Sequence, residues 1–145
     1  QISKLPELEK RRKHNWQRLH DGMKQYEEYF ILPEPTKHSD PSWFGFVLTL
    51  QKQCPFSRND IVQYLEEHKV GTRMLFGGNL LQHPAFMDTD HIVFDKLENS
   101  KVITDCTFWI GVYPGIDDVM IDYILEVFNS FLVSYKRKKH NVNKS

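Results

Sequence analysis

Leu5, Leu8, Trp16, Leu19, Met23, Tyr26 and Phe30 recur at mostly helical spacing, while charged residues from Glu9 to Lys13 fill the intervening turns. This pattern predicts a long amphipathic helix that ends before Pro33. Such a helix has two docking options, a larger parent domain or the sheet of its own domain, and the pattern leaves both open. Prolines between Pro33 and Pro41 predict an extended connector. The period then changes to two, with Phe44, Phe46, Leu48 and Leu50 on one face of a strand and Trp43, Gly45, Val47 and Thr49 on the other. Gly45 marks a close approach by another backbone or a ligand.

Ser57 and Asp60 form a capping box that opens a helix through Ile61, Val62 and Leu65. A short strand is expected over 72–76, broken by Gly77, Gly78 and Asn79. A short helix over 99–105 leads to a third strand over 107–113, which Pro114 and Gly115 terminate. Asp117 and Asp118 suit the N-terminus of a last helix carrying Met120, Tyr123, Ile124, Val127 and Phe131. The expected fold is therefore α+β, a two-layer sandwich. Its sheet is small, mainly antiparallel and three-stranded, with helices on one face. The other face is left open for a partner.

Composition narrows the class without naming a function. The 145 residues fit one compact domain, and 40% hydrophobic, 13% aromatic and 26% charged residues are globular proportions. Nineteen basic side chains balance nineteen acidic ones, so no global charge draws the chain to nucleic acid or to a membrane. No apolar run reaches the ~20 residues of a membrane span. Cys54 and Cys106 fit no CxxC or zinc spacing, which suits free thiols in a cytoplasmic protein. The chain opens at Gln1 without an initiating methionine, and it is therefore expected to be detached from something longer.

The densest candidate chemistry lies in 71–79. Arg73 stands on the strand face opposite Thr72, Met74 and Phe76, and Gly77 and Gly78 let backbone amides approach an anion. A guanidinium there could hold phosphate or carboxylate bidentately, or could equally belong to a structural ion pair beside a plain tight turn. His83, Asp88, Asp90 and His91 share a loop, but their spacing matches no compact metal site. His14 and His20 are expected at a surface or interface, and Trp43, Trp109 and Tyr113 in the core or stacked on a ligand.

Four blocks, 42–46, 64–67, 72–80 and 107–115, resemble in order the C-terminal part of the CDP-4-keto-6-deoxyglucose-3-dehydrase family. That family lies within the sugar aminotransferase superfamily of pyridoxal-phosphate (PLP) fold type I. The resemblance implies the C-terminal domain of such an enzyme, inactive alone. The whole would use PLP or pyridoxamine phosphate (PMP) to remove the C-3 hydroxyl of a nucleotide-linked 4-keto-6-deoxyhexose, in dideoxysugar and lipopolysaccharide biosynthesis. Residues 1–32 would be the helix and connection to a large domain, 33–135 the small domain, and 136–145 a basic tail. The large domain would carry the cofactor, with histidine replacing the Schiff-base lysine, and any iron–sulfur cysteines. A homodimer is implied for the full-length enzyme.

The resemblance assigns to this chain an active-site wall of Arg73 and Asn79, shaped by Phe76, Gly77 and Gly78, with Ser42, Trp43 and His83 as outlying members. It assigns no catalytic, cofactor or metal residue here. The sequence departs from the family pattern at 81–84, which bears on His83, and at 99–101. A sugar aminotransferase of the same superfamily and a stand-alone, non-catalytic binding module are the two rival readings.

Overall fold

A computed structural model describes the backbone of residues 2–142 and the side chains of 2–137. Its first long helix, α1 (Leu5–Met23), is followed by a single 3-10 turn, Lys24–Tyr26. The chain then turns and forms strand β1 (Phe30–Ile31), which pairs antiparallel with β2 (Gly45–Leu50). The expected helix to residue 32 is thus shorter, and the expected three-stranded sheet has a fourth strand. The cause is local: the turn carbonyl of Tyr29 accepts from the Gln51 amide at 2.8 Å, while Phe30 is fully buried. Sheet pairing and burial of Phe30 outweigh one more helical turn.

Helix α2 (Arg58–Glu67) begins at the anticipated capping box, in which the Asp60 amide donates to Ser57 Oγ and the Ser57 amide donates to Asp60 Oδ2. Strand β3 (Thr72–Met74), helix α3 (Glu98–Cys106), strand β4 (Thr107–Gly111) and helix α4 (Asp118–Val142) complete the order. At the start of α4 the Met120 amide donates to Asp117 Oδ1 at 2.8 Å. The helix continues to Val142, through the first part of the segment expected as a basic tail; 143–145 lie outside the described residues.

Among the described residues the sheet order is β1-β2-β4-β3, and every pairing is antiparallel. Phe46, Leu48, Phe108 and Ile110 point to the helix layer and are fully buried there with Leu19, Met23, Ile61, Leu65, Ile121 and Phe128. α1 packs on α4 and β2, which buries Trp16, Leu19 and Met23 within this fold and leaves Leu5 and Leu8 at its start exposed. Among the described residues no helix covers the opposite sheet face, which carries the row Arg73–Trp109–Val47 across β3, β4 and β2.

Ahead of β2 the expected alternation fails. Phe44 is 69% exposed and leans on Trp109, with ring centroids 5.0 Å apart. Trp43 instead stacks on Trp16 of α1 at 4.6 Å and 4°. The strand begins only at Gly45, so residues 43 and 44 are not bound by its period.

Candidate functional site

β3 leaves the sheet edge after Met74 and enters a tight turn that the backbone makes unusual. Phe76 has φ 48° and Gly78 φ +58°, both in the left-handed region that costs an L-residue other than glycine about 1–2 kcal/mol. Gly78 meets that geometry freely, whereas Phe76 does not, and its ring is 79% exposed. His83 Nε2 lies 2.5 Å from the Gly77 carbonyl, which closes the turn from the following segment. The Asn79 side-chain oxygen accepts from the Leu81 amide at 3.1 Å, leaving the Nδ2 group as a donor. Together Phe76, Gly77, Gly78 and His83 line a cleft of about 230 Å³ with Arg58, Ile103 and Thr104.

Arg73 stands just upstream, on the open sheet face and exposed to solvent. Its Nη1 donates to its neighbour's carbonyl, Thr72 O, at 2.7 Å, which keeps the guanidinium folded near the strand. Opposite it across the β3–β4 pair, Trp109 donates from Nε1 to the Met74 carbonyl at 3.2 Å. Beneath β3, Glu66 of α2 accepts from both the amide and the hydroxyl of Thr72, at 2.5 and 2.7 Å. The Thr72 hydroxyl first, then its amide, hold the Glu66 carboxyl below its ordinary range. The site is therefore a cationic strand edge beside an aromatic face, able to meet an anionic group through Arg73. The expected cradle of turn amides is not free, because the amides of Phe76, Gly78 and Asn79 already donate to Met74 O, Leu75 O and Thr104 Oγ1.

The structure gathers Phe76, Gly77, Gly78, Asn79 and His83 into one turn and sets Arg73 beside it on the neighbouring face. Ser42 and Trp43 are not brought to that turn: Ser42 is exposed ahead of β2, and Trp43 lies against α1. His20, expected at a surface or interface, is 5% exposed, with Nε2 2.9 Å from Glu34 and its ring stacked on Trp16. His14 is exposed and bonds Asp118, whose carboxyl it holds below the ordinary range. Among the described residues no three His, Cys, Asp or Glu side chains are gathered for a metal. Cys54 and Cys106 are free and half-buried, and burial raises the Cys54 thiol.

Two residues of this region were not anticipated. Arg58 and Thr104 lie on helices whose patterns show amphipathicity and capping alone, and their meeting at the turn is tertiary. No local signal marks it.

The model of the DegT/DnrJ/EryC1/StrS aminotransferase family matches residues 1–129. The chain is 46% identical over 132 residues to the dTDP-4-dehydro-2,6-dideoxy-D-glucose 3-dehydratase of Saccharopolyspora spinosa, covering 91% of this chain and 28% of that protein. It is 40% identical over 131 residues to the lipopolysaccharide biosynthesis protein RfbH of Salmonella typhimurium, with 90% and 30% covered. Among solved structures, an aminotransferase from Psychrobacter cryohalolentis superposes with a TM-score of 0.80 at 16% identity, over 92% of this chain and 36% of that one. A GDP-4-keto-6-deoxy-D-mannose-3-dehydratase of E. coli with bound hydrated PLP gives 0.76 at 24%, over 87% and 32%. At these identities the superpositions show the fold alone. The chain spans about 30% of the length of the relatives it matches.

Proposed function

Because the chain belongs to the DegT/DnrJ/EryC1/StrS aminotransferase family, we propose that it is the C-terminal small domain of a PLP- or PMP-dependent nucleotide-sugar 3-dehydratase. The enzyme would remove the C-3 hydroxyl of a nucleotide-linked 4-keto-6-deoxyhexose. The observation that carries this reading is the 46% identity to a sugar 3-dehydratase across 91% of the chain. In this reading residues 1–32 lead from a large domain, 33–135 form the substrate-facing small domain, and the enzyme works as a cytoplasmic homodimer. No described helix is long and apolar enough to cross a membrane.

The cofactor does not fit this chain's own cleft. A volume of about 230 Å³ lies below the usual range for sites holding small molecules. We therefore place the PLP or PMP, and any iron–sulfur group, in the preceding domain, where the cofactor supplies the electron sink for loss of the hydroxyl. This chain contributes binding. Arg73 neutralises phosphoryl charge, Asn79 Nδ2 donates to a sugar or phosphoryl oxygen, and Phe76, Gly77, Gly78 and His83 set the turn. Ser42 and Trp43 are outlying members of the wall.

The test is steady-state kinetics of the full protein with Arg73→Ala and Arg73→Lys. Loss of a charged hydrogen bond lowers kcat/KM by up to ~100-fold for alanine, with partial recovery for lysine. Unchanged kinetics in both variants would remove Arg73 from the site.

A further inference from the structure

The turn at 76–79 is held from below by a short chain of hydrogen bonds. Thr104, in the last turn of α3, donates its hydroxyl to the Ser100 carbonyl at 2.8 Å. That bond fixes the hydroxyl hydrogen and turns the oxygen's lone pairs outward, where they accept from the Asn79 amide at 2.7 Å. The same oxygen sits under Gly78: a Cβ there would stand 2.6 Å from it. Behind Thr104, Arg58 Nη1 donates to its main-chain carbonyl at 2.6 Å. This carbonyl belongs to the end of α3, where carbonyls lack partners within the helix and a cation is favoured. The same guanidinium donates from Nη2 to Asn59 Oδ1 at 3.2 Å.

We infer that Thr104 is a positioning residue for Asn79, and that Arg58 holds Thr104 in place for that task. The inference rests on the substrate-facing reading of the turn and adds to it the part that sets its geometry. Asn79 has its main-chain N–H tied to α3 and its side-chain oxygen tied to Leu81. Its Nδ2 group is thereby aimed by two bonds and remains free to donate to an acceptor such as a sugar hydroxyl or a phosphoryl oxygen. An apolar residue at 104 would release the first of these bonds while leaving the packing volume nearly unchanged. Binding of the nucleotide sugar is then weakened more than turnover, because Thr104 touches neither reacting atoms nor cofactor.

The experiment pairs Thr104→Val with Thr104→Ser, and reads two quantities. In this chain, hydrogen exchange at the Asn79 amide is followed by NMR; in the full protein, KM and kcat for the nucleotide sugar are measured, with Arg73→Ala alongside. Valine should speed Asn79 exchange ~10-fold or more and raise KM ~10-fold with kcat held within ~2-fold, and serine should restore both. Exchange that is unchanged in the valine variant overturns the inference, as does a serine variant as impaired as valine. If exchange rises and KM stays fixed while Arg73→Ala still raises KM, the positioning claim alone fails. If neither substitution moves KM, the substrate-facing reading fails with it.

Discussion

The indole of Trp109 lies across the α-carbon of Gly45, so closely that a Cβ at position 45 would stand 2.4 Å from ring atom Cε3. The close approach at this glycine, expected from another backbone or a ligand, is made instead by a side chain of the adjoining strand. Phe44 flanks the same ring and the Met74 carbonyl accepts its N–H, so residues at the start of β2 and on β3 fix one indole on the open face. Gly45→Ala should displace the ring, break the bond to Met74 and destabilise the fold by ~1–3 kcal/mol. Denaturant unfolding measures the loss, and fluorotryptophan NMR separates Trp109 from Trp16 and Trp43. An unshifted Trp109 resonance would mean that the ring yields without consequence.

The connector between β1 and β2 is attached to α1 in two unlike ways. Lys13 pairs with Asp40 at 2.7 Å in the open, while Trp43 stacks on Trp16, which is 5% exposed. An exposed ion pair contributes little against side-chain entropy and screening, whereas a buried indole removes large apolar area from water. Asp40→Asn should therefore leave stability essentially unchanged, and Trp16→Ala should cost ~3–5 kcal/mol. Thermal and denaturant midpoints of the two variants decide this, and comparable losses would contradict the ranking.

Legibility of the fold followed how local each determinant is. The Ser57–Asp60 box and the period-two run from Phe46 to Leu50 are complete within a few residues, and both appear where the sequence placed them. Phe30 continues a helical stripe, which predicts helix through Ile31, and nothing near them reveals that Leu50 and Thr49 wait across the sheet. Trp43 and Phe44 exchanged faces because a period holds only inside the strand. In the candidate site, the glycines and Arg73 could be singled out by type and spacing. Arg58 and Thr104 could not, since their contact joins positions 46 residues apart.

Glu66 ties α2 to β3 through Thr72, and its lowered pKa carries a pH dependence with a definite sign. The folded state prefers the carboxylate, so the stabilisation is fully present above the ordinary glutamate value of 4.5 and is lost as pH falls through the lower folded value. Glu66→Gln keeps an acceptor and removes the charge. Above pH 5 it should cost less than ~1 kcal/mol, the site being solvent-exposed, and it should remove that part of the acid sensitivity which falls below pH 4.5. Unfolding free energies of both proteins between pH 3 and 7, taken as roughly the span over which a carboxyl titrates, test the sign. Parallel curves would show that Thr72 does not discriminate the charged form.

Phe76 and Gly78 share left-handed backbone but should respond oppositely to substitution. At Phe76, glycine relieves a strain of ~1–2 kcal/mol and loses little burial, since the ring is 79% exposed; the greater freedom of glycine in the unfolded chain takes back up to ~1 kcal/mol. Phe76→Gly should thus leave stability level or slightly raised. At Gly78, alanine adds the same strain and a Cβ only 2.6 Å from Thr104 Oγ1, so Gly78→Ala should destabilise by at least ~1 kcal/mol and loosen the Asn79 amide. A strained, exposed aromatic brings no gain to the fold, which is expected of a side chain that meets a ligand. In the full protein Phe76→Gly should accordingly raise KM for the nucleotide sugar while the unfolding midpoint holds. A fall in stability with unaltered KM would instead assign Phe76 to packing.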